Sequence, residues 1–221
     1  MVYLGIDLSA SAKRPSAVAF LNDQSELIEL GSFREYADFL PLVESYKPSV
    51  IAIDAPLGLP KGLDCLEEDC SCTPVYAHKG RVGEVELARM GIGCFFTNKR
   101  SIIKKMIYRG LQICHDLANR GYTVIEVYPY ATKVVLFGDK IPPKSSPQGI
   151  LYLREHLPTL VPGLATHVDR LDHDRCDAVL AAYTAHLHHK RQTDSLGIAE
   201  EGYIVIPKPR PSRGAPVSSL P

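Results

Sequence analysis

Two rhythms of apolar residues alternate along the chain. Residues 2–8 form a near-continuous apolar run closed by Asp7, the pattern of a central strand covered on both faces. Residues 16–21 give a second short strand, and residues 26–33 a third with period-two alternation. The links between them are short and polar, as in a meander of hairpins. The period then changes: Tyr36, Phe39, Leu40 and Val43 stand three and four apart, which predicts an amphipathic helix over 35–46 that Pro48 ends. Residues 49–54 are again wholly apolar up to Asp54. A strand, a helix and a strand in succession predict a crossover into a parallel pair.

Residues 56–78 are rich in Pro, Gly and Cys and irregular, a length of loop usually kept for function. Helices are predicted over 82–90, 101–120, 131–137, 147–156 and 172–189. The clearest is 101–120, with Ile103, Met106, Ile107, Leu111, Cys114, Leu117 and Ala118 along one side and Gly121 at its end. Ser146 and Pro147 have the identities of an N-cap and first helical residue. His186, His188 and His189 read as a solvated helix end. Residues 123–128 and 202–207 complete the strands. The result is one domain over 1–207, with a Cys-rich insertion at about 56–80 and a flexible Pro-rich tail at 208–221.

Two apolar parallel strands therefore each end in an aspartate. In open α/β sheets ligands bind beyond the carboxyl ends of the strands. If the strands are neighbours, about 4.8 Å apart, Asp7 and Asp54 lie close enough to repel, and a hard divalent cation held by oxygens relieves that repulsion. Asp174 and Asp177 are three apart on the 172–189 helix and share a face. Asp172 or Asp174 suits the N-cap, whereas Asp177 lies further in, beside small apolar residues. Glu126 is a charge in mid-strand on the face of Val124 and Tyr128. Either that face is solvated, or Glu126 joins the acidic site.

Composition narrows the partners. Of 221 residues, 45% are hydrophobic and 23% charged, an ordinary globular balance, and 25 basic residues offset 25 acidic ones. No global field draws nucleic acid, so any such partner must meet a local patch. No signal-peptide pattern or membrane-length apolar run is present, and the expected compartment is the cytoplasm. There the six cysteines are thiols or metal ligands rather than disulfides. Cys65, Cys70 and Cys72, with His78 or Cys94 as a fourth ligand, are a candidate zinc set, or an acidic loop with incidental thiols. Lys104 and Lys105, in a run with Lys99, Arg100 and Arg109, are a candidate phosphate site or a solvated helix face. Lys13 and Arg14 follow Asp7 and either meet a substrate phosphate or decorate a turn. Glu86 and Arg89 either pair with each other or position substrate.

The segments "GIDLS", "IAIDAPLGLP", "ELARMGIG", "VIEVYPYA" and "DRCDAVLAAYTA" together resemble a bacterial and archaeal family of unknown function, DUF429, described as predicted ribonuclease H-like nucleases. The resemblance spans nearly the whole chain in motif order. It implies an α/β ribonuclease H-like fold: a mixed five-stranded sheet in order 3-2-1-4-5 with helices on both faces. It also implies one or two Mg²⁺ or Mn²⁺ ions held by acids from strand 1, strand 4 and a late helix, here Asp7, Asp54 and Asp177 with Asp174 as a fourth. Similar helix-borne Asp pairs occur in Holliday-junction resolvases of this fold. Glu126 completes the candidate catalytic set. The implied chemistry is phosphodiester hydrolysis in RNA, hybrid or branched DNA, with a homodimer compatible. Two other readings share the core: an actin-like phosphotransferase or ATPase, and a non-catalytic nucleic-acid-binding scaffold. The actin-like enzymes build their cleft between two copies of the fold, and this chain has one.

Overall fold

A computed structural model describes residues 1–11, 13–138 and 140–209, so most of the expected tail lies outside the described residues. The strands are β1 (Val2–Asp7), β2 (Ser16–Asn22), β3 (Leu27–Phe33), β4 (Val50–Asp54), β5 (Val124–Val127), β6 (Thr193–Leu196) and β7 (Ile204–Pro207). The helices are α1 (Tyr36–Tyr46), α2 (Val82–Arg89), α3 (Lys104–Asn119), α4 (Pro129–Phe137), α5 (Pro147–His156) and α6 (His173–His189). The strands form one mixed sheet in the order β3-β2-β1-β4-β5-β7-β6. Its first five places reproduce the ribonuclease H-like order, with β1–β2 and β2–β3 antiparallel and β1–β4 and β4–β5 parallel. The sheet has seven strands among the described residues rather than the expected five, because β7 continues the parallel run beside β5 and β6 pairs with it antiparallel.

Period-two alternation sorts each strand between two helical layers. Leu4 and Ile6 of β1, with Ile51 and Ile53 of β4, face α1 and α3 through Phe39, Val43, Ile113 and Leu117. Tyr3, Val50 and Ala52 face the other way, toward Ala181 and Ala185 of α6. Asp7 and Asp54, two residues beyond Gly5 and Ala52, therefore point to the α6 side. α6 is almost wholly buried from Cys176 to Leu187, and this includes His186, whose ring stands edge-on to Tyr3 with centroids 4.9 Å apart. The expected solvated end thus begins only beyond it.

The small residues of α6 let its backbone lie directly on β1. A Cβ at Gly5 would stand 2.1 Å from both the Ala178 carbonyl oxygen and the Ala182 amide nitrogen. Backbone has no rotamer by which to yield. Gly5→Ala is expected to push α6 off the sheet and cost about 3 kcal/mol or more in denaturant unfolding, a core overpacking penalty.

Candidate active site

The register of the central parallel pair builds the site. Asp7 and Asp54 are the last register partners of β1 and β4, so their Cα atoms are separated by one strand spacing, about 4.8 Å. α6 brings Asp177 to the same end of the sheet, one residue before the Ala178 that touches Gly5. Asp172 is the N-cap, accepting the Arg175 amide at 2.8 Å, which frees Asp174 from that role. Asp174 lines a hollow over the end of β1 with Asp7, Ser9, Arg14 and Lys144.

Burial and mutual repulsion dominate the two strand-end acids. Burial, then Asp177 and Asp174, push the Asp7 carboxyl up to about 7, against the opposing pull of Lys144 and Lys133. Asp54 is raised well above the usual carboxylate range by burial, then by Asp7 and Asp177. The cations near them are committed elsewhere: Lys133 Nζ and Lys144 Nζ donate to the two carboxylate oxygens of Asp177 at 2.9 and 2.7 Å. Lys133 is buried on α4, while the Lys144 side chain is 55% exposed on the loop beyond it. The adjoining cleft, about 570 Å³, is lined by Asp54, Asp177 and both lysines, and by the aromatic rings of Phe95, Tyr128 and Tyr130. His173 also lines it; its Nδ1 is buried without a hydrogen-bond partner among the described residues, and burial and then Lys144 lower its pKa. No three of these acids bring ligand oxygens within 4.8 Å of one another among the described residues.

Glu126 does not join this cleft as a free carboxylate. It pairs in register with Ile53 and so faces the α3 side of the sheet. There Arg81 grips both its oxygens, and its Oε2 accepts the Leu57 amide at 2.6 Å. The same guanidinium donates to Glu84 Oε1 at 3.0 Å. Glu84 in turn accepts from the amide and hydroxyl of Thr97, while Glu201 accepts the amides of Lys61 and Val82. Burial alone would lower the Arg81 pKa, but Glu126 and Glu84 raise it further. Through the Leu57 amide, Glu126 holds the turn by which the chain leaves Asp54.

The candidate substrate contacts divide. Arg14 lines the hollow beside Asp7, and Lys13 is exposed next to it, its carbonyl accepting from Arg34. At the start of α3 Lys104 is half-buried and Lys105 exposed, and neither lines the cleft. Glu86 neither pairs with Arg89 nor reaches the cleft, because its Oε2 accepts the Gly197 amide at 2.7 Å beside β6; Arg89 is exposed on the same helix. Arg109 of α3 ties the β1–β2 turn, donating to the Ser9 carbonyl and hydroxyl. Cys65, Cys70 and Cys72 converge, but neither His78 nor Cys94 completes their group. His78 Nδ1 instead contacts the Gly80 carbonyl, and Cys94 Sγ the Glu84 carbonyl. Arg81, Lys133, Lys144 and His173 escaped the sequence reading. Only Lys133, an isolated charge inside the apolar stripe of α4, left a signal there.

A family profile described as "Protein of unknown function (DUF429)" matches residues 5–201. No curated protein matches the chain. Among solved structures it is similar to the Thermus thermophilus RuvC structure, at 12% identity and a TM-score of 0.45, over 92% of this chain and 100% of that one.

A raised Asp7 favours the fold fully below the ordinary carboxylate pKa of about 4, and that contribution is lost as pH climbs through about 7. Asp7→Asn should therefore be about 1–3 kcal/mol more stable than the unaltered chain at pH 8 with chelator present, and the difference should shrink by pH 5, read from denaturant midpoints. Glu126→Gln should instead lose about 3–5 kcal/mol at neutral pH, since it leaves a buried guanidinium short of a charge partner.

Proposed function

The chain belongs to the DUF429 family of proteins of unknown function, and we propose that it is a divalent-metal-dependent nuclease hydrolysing phosphodiester bonds in nucleic acid. The observation that carries this reading is the Asp7–Asp54 register pair: two adjacent, half-buried carboxylates with no basic side chain in direct contact among the described residues. A hard all-oxygen donor set of this kind fits Mg²⁺ or Mn²⁺, and Mg²⁺ is commonly held by one or two carboxylates with water completing the shell. Asp7 and Asp54 would hold the ion. Asp177 and Asp174 would join only as the lysines on Asp177 give way. When bound, the ion supplies activation of the attacking water and stabilisation of charge on the phosphate.

The chain's own residues do the rest. Arg14 and the exposed Lys144 flank the acids on the side a phosphate would enter, where they would offset backbone charge. Phe95 and Tyr130, both well exposed, offer flat faces against which a base can stack. Glu126 and Arg81 keep Asp54 in register from beneath. RNA, hybrid and branched DNA are the substrates to try.

The double lysine pairing of Asp177 favours a second reading, a non-catalytic nucleic-acid-binding scaffold, because it balances one acid without any metal. Divalent-ion titration separates the two. The nuclease reading expects Mg²⁺- or Mn²⁺-dependent cleavage that falls on the order of 100-fold or more in Asp7→Asn and Asp54→Asn. It also expects ion binding that tightens as pH rises through about 7, because a proton must leave Asp7 first. Binding of nucleic acid with no acid-dependent affinity for the ions supports the scaffold instead.

A further inference from the structure

A second cluster lies away from the cleft, in the long connection between β4 and α2. We propose that Cys65, Cys70 and Cys72 form a thiolate site for a zinc ion that clips this connection shut, independently of the nuclease reading. The three sulfurs all lie within 4.8 Å of one another, with Cys70 and Cys72 at 3.1 Å. Tetrahedral zinc with Zn–S bonds of about 2.3 Å places its sulfurs about 3.8 Å apart, so the observed spacing brackets what the ion needs. A disulfide would join two of these sulfurs at about 2.05 Å and leave the third with no role. Soft thiolates select zinc over the hard ions suited to the carboxylate cleft.

The surroundings fit a bound cation-thiolate centre. Three thiolates around Zn²⁺ carry a net negative charge, and Lys99 Nζ donates to the Cys70 carbonyl, placing an ammonium beside it. All three cysteines are partly exposed, so an ion can enter. With His78 turned to Gly80, the fourth position is left for water.

The connection also needs such a clip. From Ala55 to Gly80 it contains no helix or strand. Its own core is small: Leu63 and Leu66, with Leu59 and Cys72 partly buried beside them, pack against Ile107 of α3, and the Leu66 amide donates to the Tyr108 hydroxyl, which donates in turn to Glu67. Segments that bury this little are commonly stabilised by a structural metal. The two ends of this one carry Asp54 and Arg81.

The test uses the full chain, purified reduced and with chelator, then freed of chelator and titrated with Co²⁺ and Zn²⁺. The expected result is one Co²⁺ per chain with sulfur-to-cobalt charge-transfer absorption, displaced by Zn²⁺. Zinc should also shield three of the six thiols from a thiol reagent and slow protease cleavage within 55–80. Cys70→Ser should abolish the absorption, while Cys114→Ser and Asp7→Asn keep it. Absence of the absorption in fully reduced protein, or its persistence in Cys70→Ser, overturns the proposal. If Cys70→Ser does not fold, the thiol count of the unaltered chain decides: the same number of thiols reacting with and without Zn²⁺ overturns it.

Discussion

The repulsion between two carboxylates that the β1–β4 register sets side by side is the constraint on which the site depends. Backbone hydrogen bonding fixes the strand spacing, and neither aspartate can retreat along its strand without breaking the ladder. α6 closes over the same end with Asp177. The chain thus spends part of its folding free energy holding like charges together, and the raised Asp7 and Asp54 pKa values record this. A purely structural site would have no reason to keep both acids: a single asparagine at either position would remove the strain.

Beneath that pair, the sheet carries a compensating centre of opposite design. Arg81 is buried between Glu84 and Glu126, and its guanidinium also reaches the Glu201 carbonyl. Every partner is satisfied, which is the condition under which buried charge becomes rigid rather than costly. The network joins α2, β5, the 199–201 turn and the start of the Cys-rich connection. It holds the turn after Asp54 from the α3 side while α6 presses from the other. One face of the sheet is electrostatically complete, and the other is left unresolved at the cleft.

This division explains what was legible in the sequence. Continuous apolar runs ending in Asp7 and Asp54 are readable, because burial on both faces leaves no polar positions to confuse the pattern. The helix of Asp177 is readable from its stripe of small residues. β6 is not: Thr193-Asp194-Ser195-Leu196 is a short, largely polar edge strand whose pairing with β7 decides its conformation. Glu126 shows the sharper limit. Its burial is legible as mid-strand charge, but which face it takes follows from register with Ile53, and its partner lies 45 residues away on α2's cap. Lys133 and Lys144 fail for the same reason, since their meeting on Asp177 depends on how α4 and the following loop fold back over α6.

Those two lysines determine how the unresolved face can behave. With no divalent ion, they pair with Asp177 and pull against the raised pKa values of Asp7 and Asp54, which burial and mutual repulsion nonetheless hold up. If Asp7 and Asp54 hold the proposed divalent ion, its charge would make the lysine charge on Asp177 dispensable. The buried Lys133 has nowhere to go, whereas Lys144 can swing to solvent or to an incoming phosphate. The same charge would then serve first as a placeholder for the cation and afterwards as a contact for the anion, an exchange confined to the one lysine of the pair that solvent can reach.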